Sequence, residues 1–427
     1  VTASLTGIEE STVTASLAGS EGVAGVTAPA GSEGPERALA PAGSEGPARV
    51  AAPAGGGEPA RVAAPSVTGT VPAIPTVPNT PDTPTTPDVV CLGESMVTFL
   101  PTRPGRLADV PAFTRAIGGA ESNVACALAA AGHRVRWVGR VGRDGFGDHL
   151  VEAIAARGVD VRAVGRDPRR PTGIYFRTAA DRATDAHEVA YYRAGSAASA
   201  MSPDTVPYDS VADGRILHLS GITAALSADC LALMRELTAP RPGRPLVSFD
   251  LNYRPTLWPG GPAEAGPVLL DLARRADLVF VGADEAAQVW GLPDPEAVVA
   301  ALPEPTVLVV KLGEHGALAV DRTGAADGGE PVVVRVPAPR VDVVAPVGAG
   351  DAFAAGFLSA TLRGLGTRAA IRHGHLMAAA ALTVPGDLAD PPRRAHADRL
   401  AALDDTAWGT LHLGPGWTGD DQEVRTP

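Results

Sequence analysis

Cysteine, methionine and aromatic residues are scarce in this chain of 427 residues: three Cys, four Met, and 4% Phe, Trp and Tyr together. Cys91, Cys126 and Cys230 form no CxxC pair. A disulfide framework or a zinc site is therefore not expected, and buried, reduced thiols in a cytoplasmic protein are. No run of 18 apolar residues occurs, so no membrane-spanning helix is expected. Positive charge is in deficit: 36 Lys and Arg stand against 48 Asp and Glu, a formal net charge of −12. That balance disfavours nonspecific nucleic-acid binding and favours solubility. There is no GxxxxGK[ST] loop, and the glycines at 348 and 350 fail GxGxxG because Phe353 stands where the third glycine belongs.

Aromatic residues are absent altogether before Phe99. Residues 1–87 are mostly Ala, Gly, Pro, Ser, Thr and Val with scattered Glu, and repeat imperfectly as "APAGSEGPERAL", "APAGSEGPARVA" and "APAGGGEPARVA". Such a segment cannot bury enough surface to offset its ordering entropy. It reads as a disordered tail ending in a stiff Pro/Thr linker. It has no basic n-region and no continuous apolar stretch, so it is a poor signal peptide.

What is present from residue 88 to about 405 is a long alternation of short apolar runs and amphipathic segments. "DVVCL", "ILHLSG", "PLVSFD", "DLVFVG" and "TVLVVK" read as strands; "FGDHLVEAIAARGV", "SADCLALMRELTA" and "AAIRHGHLMAAAALTV" read as helices. This pattern predicts a mostly parallel sheet covered by helices on both faces, a three-layer α/β/α domain. Residues 95–117 and 172–193 break the alternation, giving strands without helices, and predict a small separate sheet acting as a lid. Residues 406–427 read as a C-terminal tail.

"PVGAGD", Pro346 to Asp351, precedes the helical run "AFAAGFLSATLRGL". A glycine turn entering a helix presents backbone N–H groups at the positive end of the helix dipole, which makes an anion site. On the hexapeptide alone Asp351 has two readings. It caps the helix, or it takes the proton from a hydroxyl that attacks a phosphoryl group held by the turn.

"VGAGDAFAAGF", with "GGAESNVACALAAAG" and "VGRVGRDGFGDHL" far upstream, resembles the two signatures of the PfkB (ribokinase-like) carbohydrate kinases. The similarity runs from about Val89 to about residue 400. "GGAESN", "GIYFR", "YYRAGSA", "DLNYRPTLW" and "PVGAGDAFAAG" resemble the 2-keto-3-deoxygluconate kinases within that family. The resemblance implies a ribokinase-like fold and an ATP- and Mg²⁺-dependent kinase. Its substrate would be an acidic keto sugar, 2-dehydro-3-deoxy-D-gluconate, phosphorylated on its terminal hydroxyl. It also implies site roles. Asp351 is the base, and Gly348, Ala349 and Gly350 form the anion hole. Gly119, Ala120, Glu121, Ser122 and Asn123 form the sugar-binding turn. Tyr175, Tyr191 and Arg193 on the lid meet the acidic sugar, and Asp387 contacts it as well. Asn252, Arg254, Lys311, Gly313, Gly316, Ala317, His375 and the loop glycines Gly348 and Gly350 serve ATP, and Glu285 organises Mg²⁺ through water. The lid sheet would also be the surface for a homo-oligomer. Tyr191 and Arg193, two apart on a strand, share a face, which suits a carboxylate-bearing ligand.

The chain departs from the family pattern in three places. Ala345 stands where the family usually has Asp, Gly282 where it has Asn, and His375 where relatives often carry Asn. Two rival readings stay open: the same chemistry on a neutral sugar such as fructose, and a non-catalytic sensor on the same fold.

Overall fold

A computed structural model describes residues 86–103, 105–178, 188–324 and 328–419. Of the tail expected over 1–87, residues 1–85 lie outside the described residues, as do residues 420–427.

The chain opens with β1 (Val89–Leu92), β2 (Met96–Pro101), β3 (Phe113–Gly118) and α1 (Ala120–Ala130). Next come β4 (Val135–Val138), β5 (Arg140–Gly142), α2 (Gly145–Ala155), β6 (Gly165–Asp167), β7 (Ile174–Arg177) and β8 (Val189–Tyr192). The middle holds α3 (Asp209–Ala212), β9 (Ile216–Ser220), α4 (Gly221–Ala225), α5 (Ala228–Thr238), β10 (Leu246–Asp250) and α6 (Pro262–Arg275). It continues with β11 (Leu278–Gly282), α7 (Ala283–Trp290), α8 (Pro295–Ala301), β12 (Val307–Lys311), β13 (Ala317–Asp321), β14 (Val332–Val336) and β15 (Arg340–Val341). The last elements are α9 (Ala349–Leu362), α10 (Thr367–Leu382), α11 (Arg394–Ala401), α12 (Asp405–Gly409) and β16 (His412–Leu413).

Eight strands form the main sheet in the order β14-β13-β12-β11-β10-β9-β1-β4. All neighbours from β4 to β12 are parallel; β13 and β14 are antiparallel. The apolar runs are short and unbroken because both faces are covered. Along β1, Val89 and Cys91 enter one core with α1, α9 and α10, while Val90 and Leu92 enter the other with α5 and α6. Helix starts follow local chemistry. Asp144 caps α2 by accepting from the Phe146 and Gly147 amides, and Ser227 caps α5 by accepting from the Cys230 amide. The strand order reverses between β9 and β1, and the C-terminal ends of the parallel strands there form the crevice where such sheets carry ligands.

The lid is a second sheet in the order β3-β2-β7-β8. Its aromatic face is knit by Phe99 stacked on Phe176 at 4.7 Å and by Phe113 edge-on to Phe176 at 5.2 Å. All three cysteines are buried and unbridged. No helix among the described residues is long and apolar enough to cross a membrane.

The C-terminal tail expected from residue 406 is instead part of the domain up to residue 419. Trp408 is fully buried and donates its indole N–H to the Pro337 carbonyl at 2.8 Å. Arg372 lies over its ring at 4.7 Å, and β16 pairs with β15. A few large side chains anchor this segment, which a composition argument weights too lightly.

Candidate active site

The turn before α9 divides two cavities. Gly348 and Asp351 line one of 190 Å³ beneath the lid; Ala349 and Gly350 line the other, of 700 Å³. Gly348 has φ 77°, and a Cβ there would lie 2.4 Å from the Asp387 carbonyl, so only glycine fits. The helix begins at Ala349 with Gly348 as its cap. Asp351 therefore sits inside the first turn and caps nothing. Its carboxylate accepts from Asn123 Nδ2 at 2.8 Å and, at 3.5 Å, from Asn252 Nδ2. Asn252 is the one non-glycine with positive φ, 42°, among the described residues, a strained placement next to the carboxylate. Burial pushes the Asp351 carboxyl up to about 7, and the Asp250 charge adds to this; the Asn123 bond, Arg254 and Lys311 pull the other way. A carboxylate near 7 is matched to proton abstraction at neutral pH.

The smaller cavity collects most of the expected sugar-binding residues. Gly119, Ala120, Asn123, Tyr175, Tyr191, Arg193 and Asp387 all line it. Glu121 and Ser122 do not. They turn back into the protein, Glu121 onto Ser220 and Thr223, and Ser122 onto Ser95 at 2.9 Å. Helix geometry is the cause: Ala120 and Asn123, three apart, share the face toward the cavity, and the two residues between them do not. Two lid arginines are paired with buried carboxylates. Arg193 donates to Glu94, which also accepts from Ser196 Oγ at 2.7 Å. Arg177 donates to Asp387 at 2.7 Å, and Tyr175 donates its hydroxyl to the same carboxylate at 3.0 Å.

Glu94 and Arg177 were missed by sequence reasoning. Arg177 could have been found, since it lies two residues beyond Tyr175 and shares its face. Arg254 also lines this cavity rather than the larger one; its nearest carboxylate is Glu285, at 3.6 Å.

The larger cavity is lined by Lys311, Gly313, Gly316 and His375 among the residues expected to serve ATP. Ala317 is buried in the core instead, and Asn252 stands at Asp351. Lys311 is the only lysine in the chain. Its ammonium donates to both oxygens of Asp250, at 2.8 and 3.0 Å. Asp250 and its neighbouring carboxylates hold the Lys311 ammonium above its ordinary value although burial opposes this. The His375 ring packs edge-on against Phe353, and burial pushes it down to about 4, so it stands neutral in the cavity wall.

Glu285 accepts from the Gly282 amide at 3.0 Å, and burial holds its carboxyl above the usual range. Among the described residues no three His, Cys, Asp or Glu side chains converge as a metal cage. Glu285 and Asp250, both beside Lys311, offer hard oxygen donors. That set fits Mg²⁺ kept hydrated and bound chiefly through phosphates, not an ion caged by protein.

The profile of the pfkB family carbohydrate kinases matches residues 86–394. The chain belongs to this family. A 2-dehydro-3-deoxygluconokinase of Bacillus subtilis (strain 168) is 35% identical over 77% of this chain and 98% of its own. One from Thermoproteus tenax is 33% identical over 73% and 93%. Fructokinase-1 of Zea mays is 33% identical over 63% and 81%. Among solved structures, a PfkB protein from Polaromonas sp. JS666 superposes with a TM-score of 0.63 at 36% identity, covering 73% of this chain and 99% of that one. The protein is thus a sugar kinase with the ribokinase-like fold, and the family uses ATP.

Proposed function

We propose that the protein transfers the γ-phosphoryl group of ATP to the terminal hydroxyl of 2-dehydro-3-deoxy-D-gluconate, giving the 6-phosphate. The observation that supports this is the single turn shared by the two cavities, with Gly348 and the Asp351 carboxylate on one side and Ala349 and Gly350 on the other. Asp351 takes the hydroxyl proton as the oxygen attacks phosphorus; the bond to the leaving oxygen of ADP breaks. The amides at Gly348 to Gly350 meet the charge on the moving phosphoryl group. Mg²⁺, when bound with the nucleotide, neutralises phosphate charge, and Glu285 would hold it through water.

The acid in the substrate is favoured by three guanidinium groups in the sugar cavity, Arg177, Arg193 and Arg254, of which Arg177 is tied to Asp387. The Arg193 charge is already opposed by Glu94, so Arg254 supplies the less compensated cation. The identity to Fructokinase-1 keeps a neutral keto sugar as the second reading. A coupled assay for ADP release across acidic and neutral sugars separates them. Arg254→Ala is expected to raise KM for the acid far more than for a neutral sugar; an equal effect on both would sink the acidic-substrate reading. The lid leaves Tyr192 exposed, an aromatic edge suited to a second copy of the chain, and light scattering on the eluting protein tests that contact.

A further inference from the structure

Glu121 lies in the first turn of α1, two residues before Asn123, and is fully buried. Its Oε1 accepts from Ser220 Oγ at 2.8 Å and from Thr223 Oγ1 at 3.0 Å. Those hydroxyls stand at the end of β9 and in α4, so one carboxyl ties the start of α1 to the neighbouring strand and helix. The space it fills is cleared by Gly93 at the end of β1: a Cβ there would come within 2.1 Å of the Glu121 carboxyl carbon. Oε2 is buried and has no partner among the described residues. Nothing in this arrangement reaches the sugar cavity. What does reach it from the same turn is Asn123, whose amide holds Asp351 at 2.8 Å.

We infer that Glu121 is a positioning residue: by gripping Ser220 and Thr223 it fixes the first turn of α1, and through Asn123 it sets the place of Asp351. This rests on Asp351 being the base.

The electrostatics agree with the geometry. The groups facing Glu121 are Ser220 and Thr223, the Cys91 thiol on β1 and the Asp351 carboxylate on α9. No cation is among them. Burial pushes the Glu121 carboxyl up to about 7, with Asp351 adding to the push and the Ser220 hydroxyl, the Glu121 backbone amide and the Thr223 hydroxyl opposing it. Asp351 rises to about 7 as well. Two neighbouring carboxyls in that range titrate as a pair, and each ionisation makes the other harder. The interaction is reciprocal, so removing the ionisable group at 121 should let Asp351 ionise at a somewhat lower pH.

The test compares wild type, Glu121→Ala and Glu121→Gln by kcat, by KM for sugar and ATP, and by the pH dependence of kcat/KM. Glu121→Ala is expected to lower kcat by about a hundredfold, as for a misplaced reacting group, with KM for ATP little changed. Glu121→Gln keeps an oxygen that accepts from the same hydroxyls, so it should recover most of that loss. Its acid limb should move to lower pH, a change that a purely structural role would not produce. If Glu121→Ala does not fold, the pair Ser220→Ala with Thr223→Val removes the same grip and should show the same loss of kcat. The inference is overturned if the sugar KM alone rises, if Glu121→Gln is as impaired as Glu121→Ala, or if its acid limb stays in place. Asp351→Asn is the control. An active Asp351→Asn enzyme would overturn the choice of base itself, a different result from any of these.

Discussion

Replacing Asp351 by Asn should make the protein inactive and, above neutral pH, more stable. The two effects have one origin. Burial raises the Asp351 carboxyl from 3.8 to about 7. At about 1.4 kcal/mol per pKa unit, holding the charged form in the fold costs at most roughly 4 kcal/mol. The cavity is open to water, and that screening reduces the expected cost to ~1–2 kcal/mol. A group raised in the folded state contributes stability that is fully present below its unfolded value near 4. That contribution is lost as pH climbs through about 7. Asn carries no charge at any pH and can still meet Asn123. Thermal melts at pH 8 should therefore place Asp351→Asn roughly 2–4 °C above wild type, and the gap should shrink toward pH 5. In the coupled assay kcat should drop by about 10² to 10⁴, the worth of a positioned general base. The wild-type kcat/KM should fall about tenfold per pH unit below 7, as the base protonates. A variant that keeps more than a tenth of the rate, or melts lower than wild type at pH 8, would refute the reasoning.

Gly348→Ala should lose activity far out of proportion to its size, because the new methyl meets the Asp387 carbonyl at 2.4 Å at a φ of 77°. Single-turnover rates should fall while sugar binding by calorimetry is largely kept. Lys311→Met should destabilise the fold by about 3 kcal/mol, read by urea titration, because it leaves the buried Asp250 carboxylate without its partner. Lys311→Met combined with Asp250→Asn should recover most of that loss. Trp408→Ala should cost about 3–5 kcal/mol, as for other fully buried large side chains. A cost near zero would return residues 406–419 to the status of a tail.

Much of the fold was legible because its signals are local. Unbroken runs such as Val89–Leu92 are set by burial on both faces, and Gly348 by its own backbone angle. The loop around Asp351 was legible for the same reason. What escaped was long-range pairing. Glu94 meets Arg193 across 99 residues, and Arg177 meets Asp387 across 210. No periodicity within a segment carries that information. The sense of the turn at 119–123 was read as a block, so Glu121 and Ser122 were assigned to the sugar along with Asn123. Helix spacing separates them once the first turn is drawn. The C-terminal segment escaped because Trp408, Leu411 and Leu413 are few, and their burial depends on β15 and α10 being in place first.

Asp387 touches both the lid and the turn before α9. Its side chain is tied to Tyr175 and Arg177 on the lid, while its main-chain carbonyl abuts the glycine that opens the anion loop. A lid that shifts to admit or release sugar must either break those two bonds or carry this residue along, and with it the wall against which the loop rests. A displacement of the lid would thereby be felt at the turn that separates the two cavities.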